Sequence, residues 1–415
     1  MGLTETGREP RAGLSSPDHG GIPPLVGVVW ALLVFNTLGT GGQLTIIPIP
    51  SIVAQLLTMG ALGVAFALAL ALNPRLRFRP SALLLLLTLL LVVNLVSSAT
   101  LESGLGALAR CARLAVFVAT LWLLTPWWDG TLTFVRHHVR VLGAVLLSVL
   151  VGLVLAPGQA MSESHDGRLA GVLWWLTPTQ VGQYGAVVAG LTIMLWLARC
   201  TTGWSVLGVA APAIVLLLMS HTRTAIIALV VALTIAGGSL MFRTSRARRV
   251  LAVAVPCAGL IAVSSEGALL SWFRRGQSDE ALENLTGRQK VWDAFLATQN
   301  SPREKLFGVG LTNNSFGGLP IDNGWLAIYH DMGLIGVAIV AAFLAVLVVT
   351  AVTRPPSPSR ACAIFLIVYC LIASYTTVGP GFASTYQLHL VVAAALLTRG
   401  TSTSAVPTGV DRAPA

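Results

Sequence analysis

The sequence predicts an all-α polytopic membrane protein with about 12 transmembrane helices and one large extracytoplasmic loop containing short helices. Three observations carry this expectation. Hydrophobic residues fill 55% of the 415 positions and charged residues only 10%, against about 25% charged in an ordinary soluble domain. Mean hydropathy is +0.80. Apolar runs near the length that crosses a bilayer recur along the chain, and the arginines gather in alternate connections between them.

In chain order, residues 1–22 are polar, with Arg8, Pro10, Arg11 and Pro17 and no cleavable signal pattern, and read as a disordered cytoplasmic tail. Twelve apolar runs follow, at about 23–40, 51–72, 81–98, 108–125, 141–157, 178–198, 204–220, 224–242, 250–264, 332–352, 361–376 and 383–398. Residues 23–398 thus form one transmembrane domain, interrupted by a polar island at about 265–331 and followed by a second disordered tail at 399–415.

The basic residues orient these runs. Of 26 Lys and Arg, 16 fall in the tails and the connections at Arg75–Arg79, Arg136–Arg140, Arg199, Arg243–Arg249 and Arg354–Arg360, and 10 fall on the other side, most of them in the island. Short loops rich in Arg stay cytoplasmic, so both termini are expected inside and the island outside. Eleven of the 16 acids lie in or beside the outer connections. No Asp or Glu sits in the middle of a run, which speaks against a proton-coupled carrier and leaves a flippase open.

The net charge of +10 follows from the basic cytoplasmic loops, so no nucleic-acid partner is expected. The five cysteines lie in or beside apolar runs without metal-ligand spacing, so neither structural disulfides nor a metal site is expected, and no cofactor is implied.

Three outer arginines stand out. Arg168 follows Ser162–Gly167, Arg223 occupies the short turn Ser220–Thr224, and Arg288 belongs to the island. Arg223 fits either a side chain snorkelling to lipid headgroups or an anion contact, and Arg168 either a plain loop charge or a supporting anion contact. Arg288 follows Thr286 in a Thr-x-x-Gln capping-box pattern, with Val291, Trp292, Phe295 and Leu296 making one apolar face of a short helix on the membrane. A cation in a first helical turn is poor for helix stability but suits an anion site. Gly308 and Gly310 allow a tight turn or close ligand approach. Trp272, Trp292 and Trp325 suit interfacial anchors or sugar platforms.

Arg168-Leu-Ala-Gly171 with Pro178, Thr222–Ala225, Gly287-Arg288 leading to Trp292, Leu306–Gly310, Asn323–Leu326 and Gly333-Leu-Ile-Gly336 occur in one order ahead of a late span. Together they resemble the O-antigen ligase and O-antigen polymerase family of bacterial membrane glycosyltransferases, over about residues 165–350. The resemblance implies a metal-independent transfer at the outer face of the cytoplasmic membrane. The donor is a polyprenyl-linked glycan, and the acceptor is a hydroxyl of a glycan, lipid or protein, at the bilayer; the alternative reading is a non-catalytic partner in a glycan-assembly complex. By this resemblance Arg223 and Arg288 grip the donor pyrophosphate and Arg168 supports them. Asp322 stands where ligases of the family have His, and becomes the expected base, with His330 as a substitute. Asn323, Trp325, His330 and Trp292 are the expected acceptor or sugar contacts. Direct attack at the anomeric carbon implies inversion.

Overall fold

The computed structural model describes residues 22–39, 45–99, 104–163, 166–264, 267, 271, 288–312, 315–376, 379 and 381–398. It is mostly helical, and a helix lies on each of the twelve predicted apolar runs. They are α1 (Pro24–Asn36), α2 (Ser51–Leu72), α3 (Ala82–Ser98), α4 (Leu105–Leu124), α5 (Thr133–Leu155) and α6 (Pro178–Leu197). Next come α7 (Gly203–Met219), which contains a π-helical turn at Val206–Ala210, then α8 (Arg223–Met241) and α9 (Ser245–Ser264). Two short helices of the island, α10 (Arg288–Leu296) and α11 (Pro302–Phe307), precede α12 (Gly324–Thr353), α13 (Pro358–Ala373) and α14 (Thr385–Leu396).

Among the described residues, six helices are long and apolar enough to cross a membrane, namely α2, α4, α5, α6, α8 and α12. Five apolar helices are shorter, and α9 opens on Arg246, Arg248 and Arg249. Large apolar side chains lie exposed along the outward faces, among them Ile52 and Leu56 on α2, Leu85 and Leu89 on α3, and Val154 and Leu155 on α5. A surface of that kind needs an apolar solvent.

The bundle is built around α6 and α14. Sixteen of the 20 residues of α6 and all 12 of α14 are buried, so both are wrapped by protein on every side. Glycines let neighbours approach α6 closely. A methyl group at Gly190 would enter the ring of Phe365 on α13, and one at Gly182 would meet Ser220 and Thr222. Small residues at such crossings are how helices pack where the surroundings are as apolar as the side chains. The start of α6 is fixed by a capping box, Thr177 with Gln180, and by Pro178 in the first turn.

At one end of the bundle, arginines close the helix C-termini, whose last carbonyls lack intrahelical donors. Arg246 Nη1 donates to Trp196 O (2.9 Å), Arg360 Nε to Ala351 O (2.7 Å) and Arg79 Nη1 to Trp128 O (2.8 Å). Arg354 donates to Leu397 O. These belong to the basic connections that the sequence assigns to one side.

The predicted span at 332–352 needs a correction. The helix begins eight residues earlier, at Gly324, where Asn323 accepts from the N–H groups of Trp325 and Leu326 as N-cap. It is broken at Gly333, which has φ +63°. The reason lies in α11. Gly308, with φ +73°, ends that helix, and a Cβ there would overlap the backbone of Asp331 and Met332, while one at Gly333 would overlap Leu306 and Phe307. The two glycines let the strands of backbone touch, and Val309 N and Gly310 N donate to His330 O and Asp331 O, both at 3.0 Å. Gly308 and Gly310 therefore serve approach of backbone to backbone; Gly310 packs on Ser98 of α3.

Candidate functional site

The site forms where the ends of helices from all parts of the chain meet. A cavity of about 630 Å³ is lined by Thr37–Gly39 after α1, Arg110 and Arg113 of α4, Trp175, Thr177, Thr179, Gln180, Gln183 and Tyr184 around the start of α6, and Arg288 of α10. Leu311, Asp322 and Asp331 of the island, Thr376 after α13, and Phe382–Tyr386 leading into α14 complete it. All these stretches are ones the sequence assigns to the same face, opposite the arginine-clasped end. The volume lies within the range of about 300–1,000 Å³ usual for small-ligand sites.

Arg288 and Asp322 form the ion pair of this cavity. Nε of Arg288 donates to Oδ2 of Asp322 at 3.1 Å, and both side chains are partly exposed, at 30% and 41%. Asp322 immediately precedes the N-cap of α12, so its carboxylate is held at the head of that helix. Arg288 opens α10, which is anchored by burying Trp292 against Tyr375 and Phe295 against Phe316, Tyr329 and His330. Leu296, expected on the same apolar face, is exposed. Thr286, the expected capping residue, and Trp272 lie outside the described residues.

Asp331 occupies the broken segment of α12 and is fully buried. Its Oδ1 accepts from Thr312 Oγ1 (2.7 Å), Thr312 N (3.3 Å) and His330 Nδ1 (3.1 Å). Its Oδ2 has no hydrogen-bond partner among the described residues. Hydroxyls ring another part of the wall: Thr385 Oγ1 lies 2.7 Å from Thr37 Oγ1 and 3.0 Å from the hydroxyl of Tyr184.

The other expected site residues are placed as follows. Arg168 reaches the turn before α8, donating from Nε to Ser220 O (3.0 Å) and from Nη2 to Thr222 Oγ1 (3.4 Å). It thereby comes beside Arg223, the first residue of α8. Neither belongs to the cavity wall. Their turn nevertheless abuts it: Thr376 of the wall donates to Thr224 (2.7 Å), and Thr222 Oγ1 donates to Pro178 O (3.1 Å), next to the wall residues Thr177 and Thr179. Asn323, Trp325, His330 and Trp292 also lie outside the wall. Asn323 is the buried N-cap, Trp325 Nε1 donates to Ser374 Oγ (3.2 Å), and His330 packs against Phe295 and Phe316.

Sequence reasoning passed over Arg110 and Arg113. They sit in or beside the fourth apolar run, three residues apart, and a pair of cations inside a predicted span was signal enough, since intramembrane ionisable groups are seldom idle. The buried pair His138 and His389 was overlooked in the same way. Among the described residues no three His, Cys, Asp or Glu side chains converge as metal ligands.

No protein-family model and no curated protein matches the chain. The functional reading therefore rests on the motifs and the geometry above.

Proposed function

We propose that this chain is a membrane glycosyltransferase of the O-antigen ligase or polymerase type. It crosses the cytoplasmic membrane twelve times with both termini inside, and its cavity opens on the outer face. There it transfers a glycan from a polyprenyl (pyro)phosphate to an acceptor hydroxyl, in the assembly of cell-surface polysaccharide.

The observation that carries this reading is the pairing of Arg288 with Asp322 inside a cavity made of helix ends. A phosphate arriving at Arg288 competes with Asp322 for the guanidinium, because arginine binds carboxylate and phosphate by the same fork. Donor binding thus frees the carboxylate beside the acceptor. The acceptor oxygen attacks the anomeric carbon with inversion as its proton passes to Asp322. The bond from that carbon to the phosphate oxygen breaks, and Arg288 stabilises the charge left on the departing (pyro)phosphate. Arg168 orders the turn that carries Arg223 at the edge of the cavity.

The test is complementation of a deletion strain. Arg288→Ala, made at normal protein level, is expected to abolish surface polymer or conjugate and to leave lipid-linked glycan in the outer leaflet. Full product from this variant sinks the scheme, and lipid-linked glycan held in the inner leaflet replaces transfer by flipping.

A further inference from the structure

Three arginines and two aspartates line the cavity, and only one arginine, Arg288, is paired with a carboxylate among the described residues. The other two, Arg110 and Arg113, stand one turn apart on α4, on one face of the helix. Each is oriented by the same edge of its guanidinium. Arg110 uses Nε and Nη2 to hold Leu311 O, with Nε at 2.8 Å. Arg113 uses Nε and Nη2 to hold Asn36, with Nε 3.3 Å from its Oδ1 and Nη2 on its main-chain oxygen. These acceptors are neutral, so they fix direction without cancelling charge.

Such a wall is costly by itself. A guanidinium in or near hydrocarbon is stable when an anion or water compensates it. Asp331, the remaining acid of the wall, has Oδ1 committed to Thr312 and His330. The arrangement is that of a pre-oriented anion site: two forks fixed from behind, in a cavity of sufficient size, with neither fork in an ion pair among the described residues.

We infer that Arg110 and Arg113 form the phosphate subsite of the cavity and bind the pyrophosphate of a lipid-linked ligand. That the ligand is the glycan donor rests on the proposed transfer reaction; the anion subsite itself does not. In this arrangement the phosphates sit against α4, and Arg288 meets them from the island at the bond that breaks.

The probe is inorganic pyrophosphate, titrated calorimetrically into the full chain in neutral phosphatidylcholine nanodiscs. Saturable binding is expected, weakened roughly tenfold or more by Arg110→Gln and by Arg113→Gln. Arg303→Gln, at an exposed position on α11, serves as the control and binds like wild type. Arg110→Lys and Arg113→Lys keep the charge while losing the fork, so they guard against a folding artefact and are expected to bind more weakly at unchanged thermal stability. Absence of binding by wild type, or wild-type affinity in both Gln variants, overturns the subsite. Loss of pyrophosphate affinity when phosphatidylglycerol is added to the nanodiscs reassigns the anion to a bilayer headgroup and overturns the donor assignment. The two readings separate in cells. Lost pyrophosphate binding with full surface glycan defeats the transfer reaction and leaves the subsite standing, whereas intact binding with lost glycan does the reverse.

Discussion

Arg288 and Asp322 lie 34 residues apart and meet only because α10 and the head of α12 pack together. Their pairing makes their substitutions unequal. Asp322→Asn keeps the shape and removes the proposed proton acceptor, so under the proposed reaction product formation is expected to fall by roughly a hundredfold or more while donor binding persists. Arg288→Ala is expected to lose both, and lipid-linked donor retained by the purified variants distinguishes the two. Each residue was legible in the sequence as a chemical group, Arg288 from its place in the first turn of a short helix and Asp322 from its place before Asn323. Their contact was not legible, since nothing local encodes which loop folds over which. Arg110 and Arg113 were obscured for a different reason: an apolar run is read for its length, and the interruptions inside it are easily treated as tolerated.

At the scale of elements, the break in α12 and the end of α11 make one unit. Gly333 is held at φ +63° with no room for a Cβ beside Leu306 and Phe307. Gly333→Ala therefore forces both strain and separation of the backbones, and should destabilise the protein by about 1–3 kcal/mol, read as a lower melting temperature in detergent. A second locking element lies within the bundle. Trp30 Nε1 donates to His138 Nδ1 at 3.1 Å, and His138 Nε2 lies 2.7 Å from His389 Nδ1. An indole N–H only donates, so His138 carries its proton on Nε2 and passes it as a hydrogen bond to His389. This chain ties α1, α5 and α14 together. His138→Ala strands a donor and an acceptor and should lower stability by about 1–3 kcal/mol, whereas Trp30→Phe strands only His138 Nδ1 and should cost less; thermal unfolding in one detergent compares them. The sequence marked Gly308 and Gly310 for a tight turn or close ligand approach. It could not say whether their freedom served a ligand or a neighbouring backbone, because φ is set by the approach of α11 to α12.

For the whole molecule, helix positions were the most legible feature, since apolar length is a property of consecutive residues. Which helices face lipid was less so: α6 and α14 were read as apolar runs like the rest, yet protein surrounds them. Sidedness makes a prediction at this scale. In a cysteine-free background, Ser301→Cys before α11 should react with a membrane-impermeant thiol reagent added to intact cells, and Arg77→Cys should react only after permeabilisation. The opposite pattern would invert the assigned topology.

The burial of α14 has a consequence for how the protein comes into being. Its 12 residues make a rod of about 18 Å, too short to rest comfortably across hydrocarbon by itself. It also leaves the ribosome after every other helix described above. Until then α5 and α13, between which it packs, border an unfilled trench, and Thr385 and Tyr386 are missing from the cavity wall. The cavity wall is thus incomplete until α14 slides into place, and a chain stopped before Thr385 should be inserted but recognised and degraded as unfinished.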